Sequence, residues 1–135
     1  GRSTRTDAEG IEALRHTVSA IGFEVIEAEL KNCLHLKTGA TIARHSGSGR
    51  PVLIYNPDCI DPTQFGEVER LAVDARERSA SNLVSAGHHL IMPAGNPRTA
   101  GALRDRGFDV IEVDVSELQK AEAGVTCMSL IDELS

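Results

Sequence analysis

Aromatic side chains make up only 3% of this 135-residue chain, and tryptophan is absent. Its core must therefore be built from Val, Ile, Leu and Ala. Basic residues are also in deficit: 14 Lys and Arg stand against 20 Asp and Glu, a formal charge of −6. That balance excludes nucleic acid as the expected partner, because phosphate binding needs a basic face. It suits a cationic small molecule. No apolar run approaches the ~20 residues that span a bilayer, so no membrane role is expected. No signal peptide is visible, with Gly1 leaving open what precedes it. Cysteine is sparse: Cys33, Cys59 and Cys127 are odd in number and show no Cys-x-x-Cys spacing. This argues against a disulfide framework and against a structural zinc site of that kind. Three reduced thiols in a cytoplasmic protein are expected. There is no phosphate loop, since Ser46-Gly-Ser-Gly49 lacks the following Lys, and no His-Glu-x-x-His metal motif.

What the chain does have is 41% hydrophobic and 25% charged residues, the balance of a globular domain rather than a disordered one. Its length fits a single domain over residues 1–135. Thr6 to Ile21 reads as a helix, with Asp7 or Thr6 as cap, Ile11, Leu14, Val18 and Ile21 at helical spacing, and Gly22 as the stop. Phe23 to Leu30 alternates apolar and charged residues, a strand signal. Cys33 to Ala43 is a second apolar stretch interrupted by Gly39. His45 to Arg50 is a Gly- and Ser-rich loop. Pro51 to Tyr55 is a short buried strand, Asn56-Pro-Asp a turn, and Asp61 to Phe65 one helical turn. Val68 to Val73 leans to strand, and Asn82 to Met92 to two strands about Ala86-Gly87. Pro97 to Arg106 is a short helix ended by Gly107. Phe108 to Asp114 is a strand, Ser116 caps a short turn, and Val125 to Ile131 is a last strand. Helix followed by strands occurs near both ends, at Thr6–Tyr55 and Pro97–Ile131, which hints at a repeated unit.

The residues that carry chemistry are Cys127 and His35. A thiol becomes a nucleophile when a base or cation lowers its pKa, and an imidazole distant in sequence can do so once the chain folds. Cys127 lies in Gly124-Val-Thr-Cys-Met-Ser129 and His35 in Leu34-His-Leu-Lys-Thr38. The competing reading is a buried structural cysteine and a core histidine, since free cysteine is among the most buried residue types. His88 and His89 are the competing histidines. They fall at a turn and match no catalytic motif. Cys127 and His35 could also hold a stray zinc ion, but no metal or other cofactor is expected.

Five ordered segments decide between these readings: Gly1–Gly10 (GRSTRTDAEG), Leu34–Gly39 (LHLKTG), Ile91–Thr99 (IMPAGNPRT), Val110–Leu118 (VIEVDVSEL) and Ala123–Leu130 (AGVTCMSL). Together they resemble the dimethylarginine dimethylaminohydrolase family of the guanidine-modifying, or pentein, superfamily. The resemblance implies an α/β fold of repeated strand-strand-helix-strand units, of which this chain would be roughly half of a five-bladed propeller. It covers the C-terminal half of such an enzyme and lacks the N-terminal half, which supplies acidic residues that grip the guanidinium. By the same resemblance Cys127 is the nucleophile and His35 the general acid/base. Arg5, in Ser3–Asp7, pairs with the substrate α-carboxylate. Lys37 stands where arginine deiminases carry an Asp, which favours hydrolysis of methylated arginine to citrulline. Asn82 is structural in this reading, with Ser81 where Ala is usual. The departures at Ala123 and Val125 are small. The expected partners are a methylated arginine and either the missing half or a second copy of the chain. The rivals are a non-catalytic assembly module and an arginine deiminase or amidinotransferase relative.

Overall fold

The computed structural model describes residues 1–45 and 48–131. Its architecture is two small sheets built to one plan. In the first, β1 (Ala40–Arg44) pairs antiparallel with β2 (Pro51–Tyr55), and β2 pairs parallel with β3 (Glu69–Ala72). In the second, β4 (Val84–Ala86) pairs antiparallel with β5 (His89–Pro93), and β5 pairs parallel with β6 (Asp109–Val113). A parallel neighbour requires a crossover. In the first unit it carries a 3-10 helix, Pro62–Phe65, and in the second the helix α3, Pro97–Asp105. Both units therefore run strand, strand, helix, strand. The repeat hinted at by the sequence is real, but its phase is different: each unit begins with its hairpin rather than with its helix.

The two units share one core. Val52, Ile54 and Leu71 of the first pack with Leu90, Met92, Leu103 and Phe108 of the second, all at most 5% exposed. The central strands β2 and β5 read as short apolar runs because they are flanked on both edges and covered by packing on their faces. Two polar side chains brace this core. Glu77 accepts hydrogen bonds from the backbone N–H groups of Arg98 (2.9 Å) and Thr99 (2.7 Å), so it caps the first turn of α3. Burial pulls the Glu77 carboxyl up, but those two bonds and the Thr99 side chain outweigh it, and the group stays below its ordinary value. Thr41 donates to the carbonyls of Ser81 and Leu83, tying β1 to the second unit.

Most of the expected elements form. The helix α1 spans Ala8–Ser19 and is capped by Asp7, whose carboxylate accepts the Gly10 N–H at 2.8 Å. The turn at Asn56-Pro-Asp, the helical turn after Asp61, the hairpin at Ala86-Gly87 and the stop at Gly107 all stand where expected. The loop expected at His45–Arg50 includes Ser46 and Gly47, which lie outside the described residues, as do residues 132–135.

Three expectations are corrected. Phe23 to Leu30 is extended but is not a laddered strand: it makes only single bridges, Arg2 to Glu29 and Leu30 to Ile60. Alternation encodes the extended conformation, but a strand also needs a neighbour, and none of the described residues supplies one. The Cys33–Ala43 stretch, by contrast, is interrupted at Gly39 as expected: a single helical turn, α2 (Leu36–Gly39), ends there and β1 follows. Ser116 lies inside the short helix α4 (Ser116–Gln119), and its N–H is bound by the Asp114 carboxylate. The last expected strand, Val125 to Ile131, is not a strand. Residues 125–128 form a helix-like turn, closed by the Met128 N–H on Gly124 and the Ser129 hydroxyl on Val125.

Candidate active site

His35 is exposed and immediately precedes α2, in extended conformation (φ −124°, ψ 135°). Its backbone is held firmly. Its carbonyl accepts the Thr38 N–H at 3.0 Å and faces the Cys33 thiol at 3.7 Å. The Thr38 carbonyl in turn accepts the Ser81 hydroxyl at 2.7 Å. The Ser81 hydroxyl thus anchors the turn that carries His35.

Cys127 is exposed and sits in the turn after Gly124. Its Sγ lies 3.0 Å from the Gly124 N–H and 3.2 Å from the Gly124 carbonyl. Asn82 fixes this turn from across the structure: its Oδ1 accepts the Thr126 N–H at 3.1 Å and the Thr126 hydroxyl at 2.9 Å. The Asn82 amide presses so close that a Cβ at position 124 would lie 2.3 Å from its nitrogen. Gly124 is required by that approach rather than by its own backbone angles.

Two adjoining concavities meet here. One, of about 590 Å³, is lined by His35, Lys37, Asn82, Glu122 and Cys127 among others. The other, of about 640 Å³, is lined by Arg5, Asn32, Cys33, His35 and Glu122. His35 and Cys127 therefore share one cavity, and Arg5 joins them through the second, in which His35 also takes part. No hydrogen bond links His35 to Cys127 among the described residues. Arg5 is exposed and makes no ion pair among them, so its guanidinium is free to meet a carboxylate.

Glu122 was not singled out in the sequence. Among the described residues it supplies the one carboxylate on either cavity wall, and it stands in the left-handed region (φ 57°). A non-glycine residue there costs about 1 kcal/mol or more. The surrounding bonds enforce it, since the N–H groups of Glu122 and Ala123 close the end of α4 on Gln119 and Leu118. The only trace in the sequence is its place just after a short helix, where Gly is usual.

The other two cysteines lie deeper. Cys59 is buried, and burial, reinforced by the neighbouring Cys33 thiol, pushes its pKa up to about 12.

The chain as a whole has matches among known proteins. The chain is 34% identical over 130 residues to an N(G),N(G)-dimethylarginine dimethylaminohydrolase from Pseudomonas aeruginosa. The chain is homologous to the dimethylarginine dimethylaminohydrolases. A second such enzyme, from Streptomyces coelicolor, is 33% identical over 130 residues. Each match takes in 96% of this chain and 49% or 48% of the relative, so the chain spans about half the length of the curated relatives it matches. The solved Pseudomonas aeruginosa enzyme, a cysteine-to-serine mutant complexed with citrulline, superposes with a TM-score of 0.85 at 33% identity, covering 96% of this chain and 49% of that one. An arginine dihydrolase from the ornithine–ammonia cycle in cyanobacteria shares the fold at 22% identity, with a TM-score of 0.71 over 89% of this chain and 20% of that one. No family profile matches the chain. The α/β fold expected from the sequence is that of these pentein enzymes. No helix among the described residues is long and apolar enough to cross a membrane.

Proposed function

We propose that this chain is the nucleophile-bearing half of a dimethylargininase-type hydrolase, which converts methylated arginine to citrulline and a methylamine. The observation that carries the proposal is the shared cavity, with Cys127 and His35 on one wall. The thiolate of Cys127 attacks the guanidinium carbon, which becomes tetrahedral. His35 gives a proton to the departing methylamine as the C–N bond breaks, leaving an S-alkylthiouronium on Cys127. His35 then takes a proton from water, which adds to the same carbon, and the C–S bond breaks to release citrulline and the thiol. Arg5 receives the substrate α-carboxylate, for which a planar guanidinium is geometrically suited. Glu122 offsets part of the substrate's positive charge.

Residues 1–135 act as one domain in this reading, and the two strand-strand-helix-strand units are two blades of a five-bladed propeller. The remaining half, of a length with the relatives', supplies further carboxylates and covers the open edges. A second reading, an assembly module that keeps the motifs without turnover, draws support from the exposed apolar side chains of α1 and the segment after it. Lys37 beside the site weighs for methylated arginine over the arginine deiminase reading.

The test is a paired alkylation. A haloacetamidine carries the cation and a haloacetamide does not, and peptide mapping reads all three thiols. Cys127 is expected to label fastest near neutral pH, and faster with the cationic reagent. Equal labelling of Cys33, Cys59 and Cys127, with no preference for the cation, would overturn the proposal.

A further inference from the structure

We propose that the tip of the β4–β5 hairpin is a binding site for a divalent transition ion of the zinc class, formed by His88, His89 and Asp109. The site is built by the fold. Ala86 pairs with His89, leaving Gly87-His88 as a two-residue hairpin loop, and Gly87 adopts the positive φ (59°) that such loops require. The loop curls His88 back onto its neighbour, so the two imidazoles meet with centroids 3.8 Å apart and their planes tilted by 42°. Successive residues of a regular strand would point to opposite faces, and only the turn brings these two together. Asp109 arrives from the other side. It is the register partner of His89 in the parallel β5–β6 pair, so its carboxylate shares that face.

Three ligand atoms, one from each residue, then lie within 4.8 Å of one another. The arrangement also carries an unmet demand. His89 Nδ1 is shielded from solvent and makes no hydrogen bond. Asp109 Oδ2 lies 2.7 Å from it, near enough for an ion pair but off the direction an N–H bond needs. A ring nitrogen so placed, beside a carboxylate and a second imidazole, is a donor atom a cation would use. Two imidazoles and one carboxylate, with water completing a tetrahedron, form a donor set suited to zinc. None of the three residues lines the cavities that hold His35 and Cys127, so this site is separate from the candidate active site. An ion there would join the hairpin tip to β6 and close the free end of the second sheet.

The test uses zinc sulfate in a non-chelating buffer, with calorimetry on the wild-type chain and on the His88→Ala, Asp109→Asn and Cys127→Ser variants. A copper(II) titration followed by amide NMR locates the ion. The expected result is one equivalent of zinc retained by Cys127→Ser and weakened more than about tenfold in the other two, because losing even a partner behind a ligand costs that much. Paramagnetic broadening should centre on His88, His89 and Asp109. Zinc binding that disappears in Cys127→Ser, broadening centred on His35, or no binding at all overturns the proposal.

Discussion

Gly124 and Asn82 together place the cysteine, and they do it by contact. A methyl group at position 124 would overlap the Asn82 amide, so Gly124→Ala must displace either the amide or the turn that carries Cys127. The expected cost is about 1–3 kcal/mol of stability for the overpacking, together with a loss of selective Cys127 alkylation. The double variant Asn82→Gly with Gly124→Ala should cost less than the two single changes added, because the clash is relieved. Thermal melts and labelling rates of the four proteins check this, and strict additivity would show that the contact does not matter. Cys127, His35 and Arg5 stood out in the sequence because their segments are short and ordered along the chain, and all three line the two cavities. Glu122 was not legible, because its place on the cavity wall depends on a left-handed backbone forced by the end of α4, and no spacing rule reports that. Asn82 was visible only as a structural residue. Its hold on Thr126 spans 44 positions and belongs to tertiary packing.

Elements with both a local signal and a partner were read correctly. Pro51 to Tyr55 is apolar throughout and becomes a central strand with neighbours on both sides. Pro97 to Asp105 has Pro at its start and Gly107 beyond its end, and it forms α3. Phe23 to Leu30 had the local signal without the partner, so its alternation produced an extended chain and no ladder. Val125 to Ile131 failed for a different reason: its apolar residues serve a turn that Asn82 pins. The cap of α3 yields a prediction with a defined pH dependence. The folded-state pKa of Glu77 lies below the unfolded value of about 4.3. Its contribution is therefore complete above that value and is lost as the pH falls through the lower, folded pKa. Glu77→Ala should cost about 1 kcal/mol or more at pH 7, and the gap from wild type should close in strongly acidic solution. Urea unfolding of both proteins at several pH values measures it. A gap that widens on acidification would refute the capping role.

At the scale of the whole molecule, the apolar surface is incompletely covered. Leu14 (53%), Ile21 (70%), Phe23 (67%) and Ile26 (53%) are exposed along α1 and the segment after it, and the backbone of Phe23 to Glu27 has no ladder partner among the described residues. Unpaired extended backbone beside apolar side chains favours association. Sedimentation of the isolated chain should show concentration-dependent self-association, weakened by Phe23→Glu with Ile26→Lys. A strictly monomeric chain at high concentration would contradict this. The central claim concerns chemistry divided across a longer protein, in which Cys127 and His35 react with a guanidinium held partly by residues outside this chain. A cation bound without its full complement of carboxylates is poorly compensated. The most direct measurement is citrulline formation from dimethylarginine by the chain alone, by the chain with the other half of the enzyme supplied in trans, and by the same mixture carrying Cys127→Ser. The account predicts turnover near background for the chain alone, a rise of orders of magnitude on complementation, and loss of that gain with Cys127→Ser. Robust turnover by the isolated chain, or none after complementation of a folded chain, would contradict it.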